Sequence, residues 1–281
     1  YLLSSELVTK LTGRYLEFEL FTLSFEEYEQ IKKFYGKPVN PNLGVELNQY
    51  ILEGGFPRTV QIDDLAAKRT YVVGVVNEIF EKDIRRRVKI KDKAAFETVR
   101  NYVINNFGAT TSIKSLTKAL EKSGIKITRA TVTRYITALV DAKILYACNR
   151  FDMKSKKALA GEKKYYLADL SFYFAGNTDN RINFGPVLEN IVYIYARSLN
   201  YAVSVGRIGK LECDFILRNT ENDYSYVQVA YTIMQSAETE DREYRPLERI
   251  HDNYAKYVAT TDYALQKRNG IRHINLMEFM T

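Results

Sequence analysis

Leu3, Leu7 and Leu11 fall at helical spacing and predict an opening amphipathic helix, which Gly13 ends before residues 15–20 alternate as a strand does. Ser24 starts a second helix. Its hydroxyl can accept from the Glu27 amide while the Glu27 carboxylate reaches back, the reciprocal S-x-x-E box. Gly54, Gly55, Phe56 and Pro57 break the pattern. Residues 65–84 then form a long helix-period stretch ending in Arg85, Arg86 and Arg87, cations that suit a helix C-terminus.

From Lys93 the periodicity changes to short helices separated by polar turns. Phe96, Val99, Val103 and Ile104 mark one, and Ile113, Leu116 and Leu120 a second, which Ser123 and Gly124 end. Thr128 can cap a third. In it Val132, Ile136, Leu139 and Val140 make a core-facing stripe, while Arg129, Thr133 and Thr137 share another face with Arg134 alongside. Residues 144–151 read as a strand, the MKSKKALAGEKK segment as a loop, and residues 165–168 as a returning strand. Three helices followed by a basic hairpin is the winged-helix plan.

Gly185 and Pro186 open the last part with a helix whose buried stripe is Leu188, Ile191, Val192, Tyr195 and Leu199, with Glu189 beside it. A hairpin over 202–207 and 211–217, a polar turn at 219–223 and a strand over 224–233 follow. A helix over 238–251, a strand over 256–260 and a final strand and helix from Arg272 complete an αβββαβ order.

Charge divides the chain unevenly. Residues 84–168 hold 20 Lys and Arg against 6 Asp and Glu, about +14, and the remainder holds 21 against 28, about −7. Concentrated positive charge attracts polyanions, and counterion release from phosphate supplies most non-specific nucleic-acid affinity. The expected partner is DNA, contacted by Arg129, Thr133 and Arg134 in the groove and by Lys154, Lys156, Lys157, Lys163 and Lys164 along phosphates. The alternative is a protein-docking or self-association module whose basic segment packs on an acidic surface.

At 281 residues the chain suits two or three domains, here divided at 1–90, 91–170 and 171–281. No apolar run is long enough to span a bilayer, so no membrane role is expected. Cys148 and Cys213 stand alone without ligand spacing, which fits a reducing cytoplasm. His251 and His273 are lone imidazoles, and no Ser-His-Asp, Cys-His or HExxH arrangement occurs.

The string SSELVTKLTGRYLEFELFTLSFEEY, the GGFP at residues 54–57 and the EKDI at residues 81–84 resemble the order found in a prokaryotic AAA-like ATP-binding family whose C-terminal half is a domain of unknown function. Thr22 stands where that family usually has proline. The resemblance covers the chain from the end of an ATPase core onward and implies an ATPase-lid remnant, with ATP and Mg²⁺ as cofactors of a full-length protein. No G-x-x-x-x-G-K-[ST] occurs, so no nucleotide cofactor is expected for this chain itself. The resemblance also makes Arg14 a candidate sensor or finger for a γ-phosphate, because a permanently charged fork stabilises phosphoryl-transfer charge. The other reading of Arg14 is a solvated turn residue.

The αβββαβ order, with Glu189 on its helix, Asp214 in its second strand and Gln228 two positions before Ala230, resembles the PD-(D/E)xK nuclease core. The fold class expected is therefore α/β multidomain: lid remnant, winged helix-turn-helix and nuclease-like domain. In an active member two carboxylates hold Mg²⁺ and a lysine orients the attacking water. Asp214 and Glu189 are the candidate metal ligands. Gln228 keeps an oxygen without charge and Ala230 removes the amine, so the motif reads as degenerate, with Lys210 and Lys256 as possible substitutes. A third, enzymatic reading is an active metal-dependent nuclease.

Overall fold

The computed structural model describes residue 16, residues 18–177 and residues 181–280. The expected opening helix and Arg14 lie outside the described residues, as does part of the strand expected over 15–20, and residues 18–20 take no regular structure.

Local sequence sets the helix starts. Ser24 and Glu27 close the reciprocal box at the head of α1 (Phe25–Phe34), Asn42 caps α2 (Leu43–Glu53), Pro57 opens α3 (Pro57–Val60), and Asp64 caps α4 (Leu65–Ile79). The expected long helix continues past α4, widening to a π-helical turn at Phe80–Ile84 before the turn Arg85–Arg87. Asp92, Ser112 and Thr128 cap α5 (Lys93–Asn105), α6 (Ile113–Lys122) and α7 (Arg129–Asp141), with β1 (Thr110–Ser112) between α5 and α6. Tyr135 joins the expected α7 stripe as a buried ring, edge-on to Phe96.

Next comes the hairpin of β2 (Leu145–Asp152) and β3 (Lys157–Leu167). Most of the segment expected as a loop is strand. β3 is paired on both sides, with β2 over Leu145↔Leu167 to Asp152↔Lys157 and with β1 over Thr110↔Lys164 to Ser112↔Glu162. Two ladders hold this lysine-rich sequence extended despite its low strand propensity.

The short helix α8 (Ser171–Gly176) leads to α9 (Phe184–Ser198), β4 (Ala202–Ile208), β5 (Leu211–Arg218), β6 (Tyr224–Val229), α10 (Ala237–Glu248), β7 (Ala255–Thr260), β8 (Lys267–Arg268), β9 (Ile271–Asn275) and α11 (Leu276–Phe279). The nine strands of the described residues belong to one mixed sheet, ordered β1-β3-β2-β4-β5-β6-β7-β9-β8. The join is a parallel pairing of β2 with β4, from Asn149↔Ser204 to Asp152↔Arg207, so the sheet runs through the division expected at residue 170. Val227 and Ala259 belong to the large core that includes α9. Their neighbours Tyr226 and Val258 face a second core with Tyr244 and Leu247 of α10, as strand alternation requires.

The GGFP segment ties the first helices to the sheet. Asp169, just after β3, accepts from the Gly55 amide at 2.8 Å and from the Ser171 amide and hydroxyl at 2.9 and 2.5 Å. Gly54 sits at φ +76°, ψ −177°, a conformation confined to glycine, and a Cβ there would lie 2.0 Å from Asp169 Oδ1. The Leu23 amide donates to the Gly55 carbonyl at 2.8 Å, and the Thr22 hydroxyl to the Ala168 carbonyl at 3.1 Å. Phe56 packs edge-on to Phe172 of α8.

Candidate functional site

Two assemblies stand out, one of exposed cations and one of buried carboxylates. On α7, the inward stripe of Val132, Ile136 and Leu139 leaves Arg129, Thr133, Arg134 and Thr137 exposed. The turn after β2 and the strand β3 expose Lys154, Lys156, Lys157 and Lys163. Lys163 pairs with Thr111 of β1, and β1 runs directly into α6, which exposes Lys114, Lys118 and Lys122. No ion pair joins any of these cations to a carboxylate among the described residues. A cation in this state keeps its charge available to an outside anion.

Lys164 corrects the expected set. It follows Lys163 in β3, so its side chain points to the opposite face, and it is 5% exposed. Its ammonium lies 2.9 Å from Glu189 Oε2 on α9 and 2.8 Å from Glu212 Oε1 on β5. It cannot lie along phosphates with the other lysines while held there. Tyr166, two residues on and on the same face, donates to the same Glu189 oxygen at 2.9 Å and stacks on Tyr193 at 4.5 Å. Arg150 of β2 bridges Glu212 at 2.9 Å and Glu162 at 2.8 Å.

The nuclease-like residues meet around this lysine. Asp214 of β5 accepts from the Val229 amide at 2.9 Å, and its own amide donates to Gln228 Oε1 at 3.3 Å. Gln228 passes its amide hydrogen to Glu243 of α10 at 3.1 Å, and Arg242 binds the other Glu243 oxygen at 2.9 Å. Asp214, Gln228 and Glu243 thus form one hydrogen-bonded chain, and Glu189 acts on Asp214 through its charge. Lys164 pairs with Glu189 and Glu212, and its charge also acts on Asp214. Among the described residues no group of three or more His, Cys, Asp or Glu is placed to hold a metal ion.

Electrostatics follow from that arrangement. Burial pushes the Asp214 carboxyl well above the usual carboxylate range, and the Glu189 charge adds to it, against the opposing effect of Lys164 and the Val229 amide. Burial alone would lower the Lys164 pKa, but Glu189, Asp214 and Glu212 outweigh it and hold the ammonium charged. Burial also raises Glu189, which Lys164 resists. Cys148, opposite Lys164 in the β2–β3 ladder, is buried and its thiol is pushed up to about 12, so it is inert.

The suggested substitutes for the missing amine lie elsewhere. Lys256 donates to the Asp252 carbonyl at 2.8 Å and its carboxylate at 3.1 Å, and Lys210 is exposed in the turn between β4 and β5. Ala230 is buried beyond the end of β6. Sequence reasoning gave Lys164 a different role and missed Arg150 and Glu243. The usable signal for Lys164 was its period-two relation to Tyr166, which put the two on one face.

Comparison with known proteins places this geometry among relatives of unassigned activity. The model of a domain of unknown function (DUF8612) matches residues 45–180, a span that includes α5 to α7 and the β2–β3 hairpin. An uncharacterized protein of Haemophilus influenzae is 30% identical over 281 residues, covering 99% of this chain and 68% of the relative. An uncharacterized protein of Methanocaldococcus jannaschii is 28% identical over 257 residues, covering 88% of this chain and 56% of the relative. No solved structure matches the chain.

Proposed function

The chain belongs to the family of the uncharacterized Haemophilus influenzae protein and matches DUF8612 over residues 45–180, and we propose that this member is a DNA-binding module whose nuclease-like domain is catalytically inactive. The observation that carries the reading is the set of exposed, unpaired cations on α6, α7 and the β2–β3 hairpin. In this reading α5 to α7 with β1 to β3 act as a winged helix. α7 enters the major groove with Arg129, Thr133 and Arg134, and Lys154, Lys156, Lys157 and Lys163 follow the backbone. Self-docking on the chain's own acidic surface is the less favoured alternative, since the acidic residues described do not cover these cations.

The segment from α9 to β7 is read as a PD-(D/E)xK-like domain without its chemistry. Two-carboxylate catalysis needs a divalent cation and an amine free to orient water. Here the amine nearest Asp214 and Glu189 is locked into ion pairs with Glu189 and Glu212. We read the longer protein as an AAA-like ATPase that uses ATP and Mg²⁺ and couples nucleotide state to DNA through these modules.

Titration of the chain into duplex DNA at several salt concentrations tests the proposal. Binding that weakens steeply with salt supports it, and retention of no DNA at low ionic strength overturns it in favour of docking. Incubation with supercoiled, linear and branched DNA in Mg²⁺ and Mn²⁺ tests inactivity. Cleavage abolished by Asp214→Ala would overturn that part.

A further inference from the structure

A cavity of about 530 Å³ opens between α9, the β5–β6 turn, β7 and α11, remote from the basic hairpin in sequence and unlike it in chemistry. Its volume falls in the range of small-molecule sites. Tyr195, Tyr201, Tyr224, Tyr257 and Phe279 line it, and three of these rings are in contact: Phe279 lies 6.3 Å from Tyr195 and 6.1 Å from Tyr257. These rings are half-buried, so each gives part of its surface to the cavity.

Among the described residues that line the cavity, Asp223 and Glu278 are the ionisable ones apart from the tyrosines, and Glu278 already has a partner. Burial raises the Tyr195 hydroxyl, and the nearby Glu26 charge adds to the effect, consistent with the same negative surroundings. A phosphate or carboxylate ligand would meet no cation among the described lining residues, whereas a cation meets the Asp223 carboxylate and rings whose quadrupoles attract positive charge.

We propose that this cavity binds a small organic cation, an alkylated ammonium carried on a compact apolar body. Tyr195, Tyr257 and Phe279 take the apolar shell and ring contacts, and Asp223 supplies the long-range attraction. The site is independent of the DNA reading, since none of the cations assigned to DNA lines it.

Calorimetric titration with choline, and with its neutral isostere 3,3-dimethylbutan-1-ol, tests the charge requirement directly. Choline should bind at one site and the isostere about 3- to 30-fold more weakly, the span expected for a cation over aromatic faces. Asp223→Asn, at an exposed residue, should weaken choline about 2- to 5-fold without changing the melting temperature. Tyr257→Leu should weaken it further, and if that variant does not fold, Tyr224→Leu provides the ring deletion. Equal binding of the isostere, choline affinity unchanged in Asp223→Asn, or no choline heat at millimolar concentration would overturn the proposal.

Discussion

The Gly55 amide donates to Oδ2 of Asp169 at 2.8 Å, a bond between residues 114 positions apart that fastens the first helices to the end of β3. Gly54 beside it has no room for a side chain, since Asp169 Oδ1 and the Ser171 side chain occupy the space a Cβ would take. Gly54→Ala should therefore destabilise the chain by about 3 kcal/mol, from a glycine-only backbone conformation plus the collision. Denaturant unfolding checks this. A loss below about 0.5 kcal/mol, the level of an ordinary surface change, would show that the clamp does not hold the helices.

Asp214 gives a prediction with a definite sign in pH. Its folded carboxyl titrates above its unfolded value, so its contribution to stability is fully present below about pH 3.9 and is lost as pH rises through the folded pKa. Asp214→Asn keeps an oxygen for the Val229 amide and removes the proton release. It should be at least as stable as the parent at neutral pH and should flatten the high-pH side of the stability profile. Asp214→Ala should instead cost about 1–3 kcal/mol, because the buried Val229 amide loses its acceptor. Melting of both variants across pH distinguishes these outcomes.

Lys164 is held between Glu189 and Glu212, and removing it strands both carboxylates. Lys164→Met should cost about 3–5 kcal/mol at neutral pH, the range for breaking a buried ion pair from one side. Adding Glu189→Gln should recover part of the loss, because a neutral amide no longer needs the ammonium. A double-mutant cycle measures this coupling, and simple additivity of the two changes would argue against the pair.

The exposed cations make separable predictions for DNA. If about five phosphates are neutralised, the slope of log K against log salt should be about −4 to −5. Charge reversal at Lys156 and Lys157 should weaken all duplexes alike, whereas Arg134→Ala should act more strongly on a preferred site. Lys163→Ala should reduce the slope by about one, and neighbouring Lys164, being buried, should act through stability instead. Filter binding at four salt concentrations, alongside melting curves, separates the two lysines.

Much of the helical structure was legible because it depends on residues within one turn of each other. The Ser24–Glu27 box, the Thr128 cap and the α7 stripe each follow from spacings of three or four, and each is present as read. The exposure of Arg129 and Arg134 was legible for the same reason, as the polar remainder of α7, and that of Lys156 and Lys157 from their place in a basic loop. Strand order was not. β2 meets β4 in parallel across some fifty residues, and nothing local in either strand specifies that neighbour.

The sequence alone determined which residues carry charge, where several of the helices begin, and that Asp214 and Gln228 sit on successive strands. Tertiary structure decided what those charges do. Lys163 and Lys164 are identical in composition and adjacent in sequence, yet β3 turns one to solvent and the other toward Glu189 and Glu212. The physical reason is that a strand fixes alternation but not which face is buried. That choice came from α9 packing over one face of the sheet that β3 and β5 share, which brings residues 164, 189 and 212 within hydrogen-bond reach.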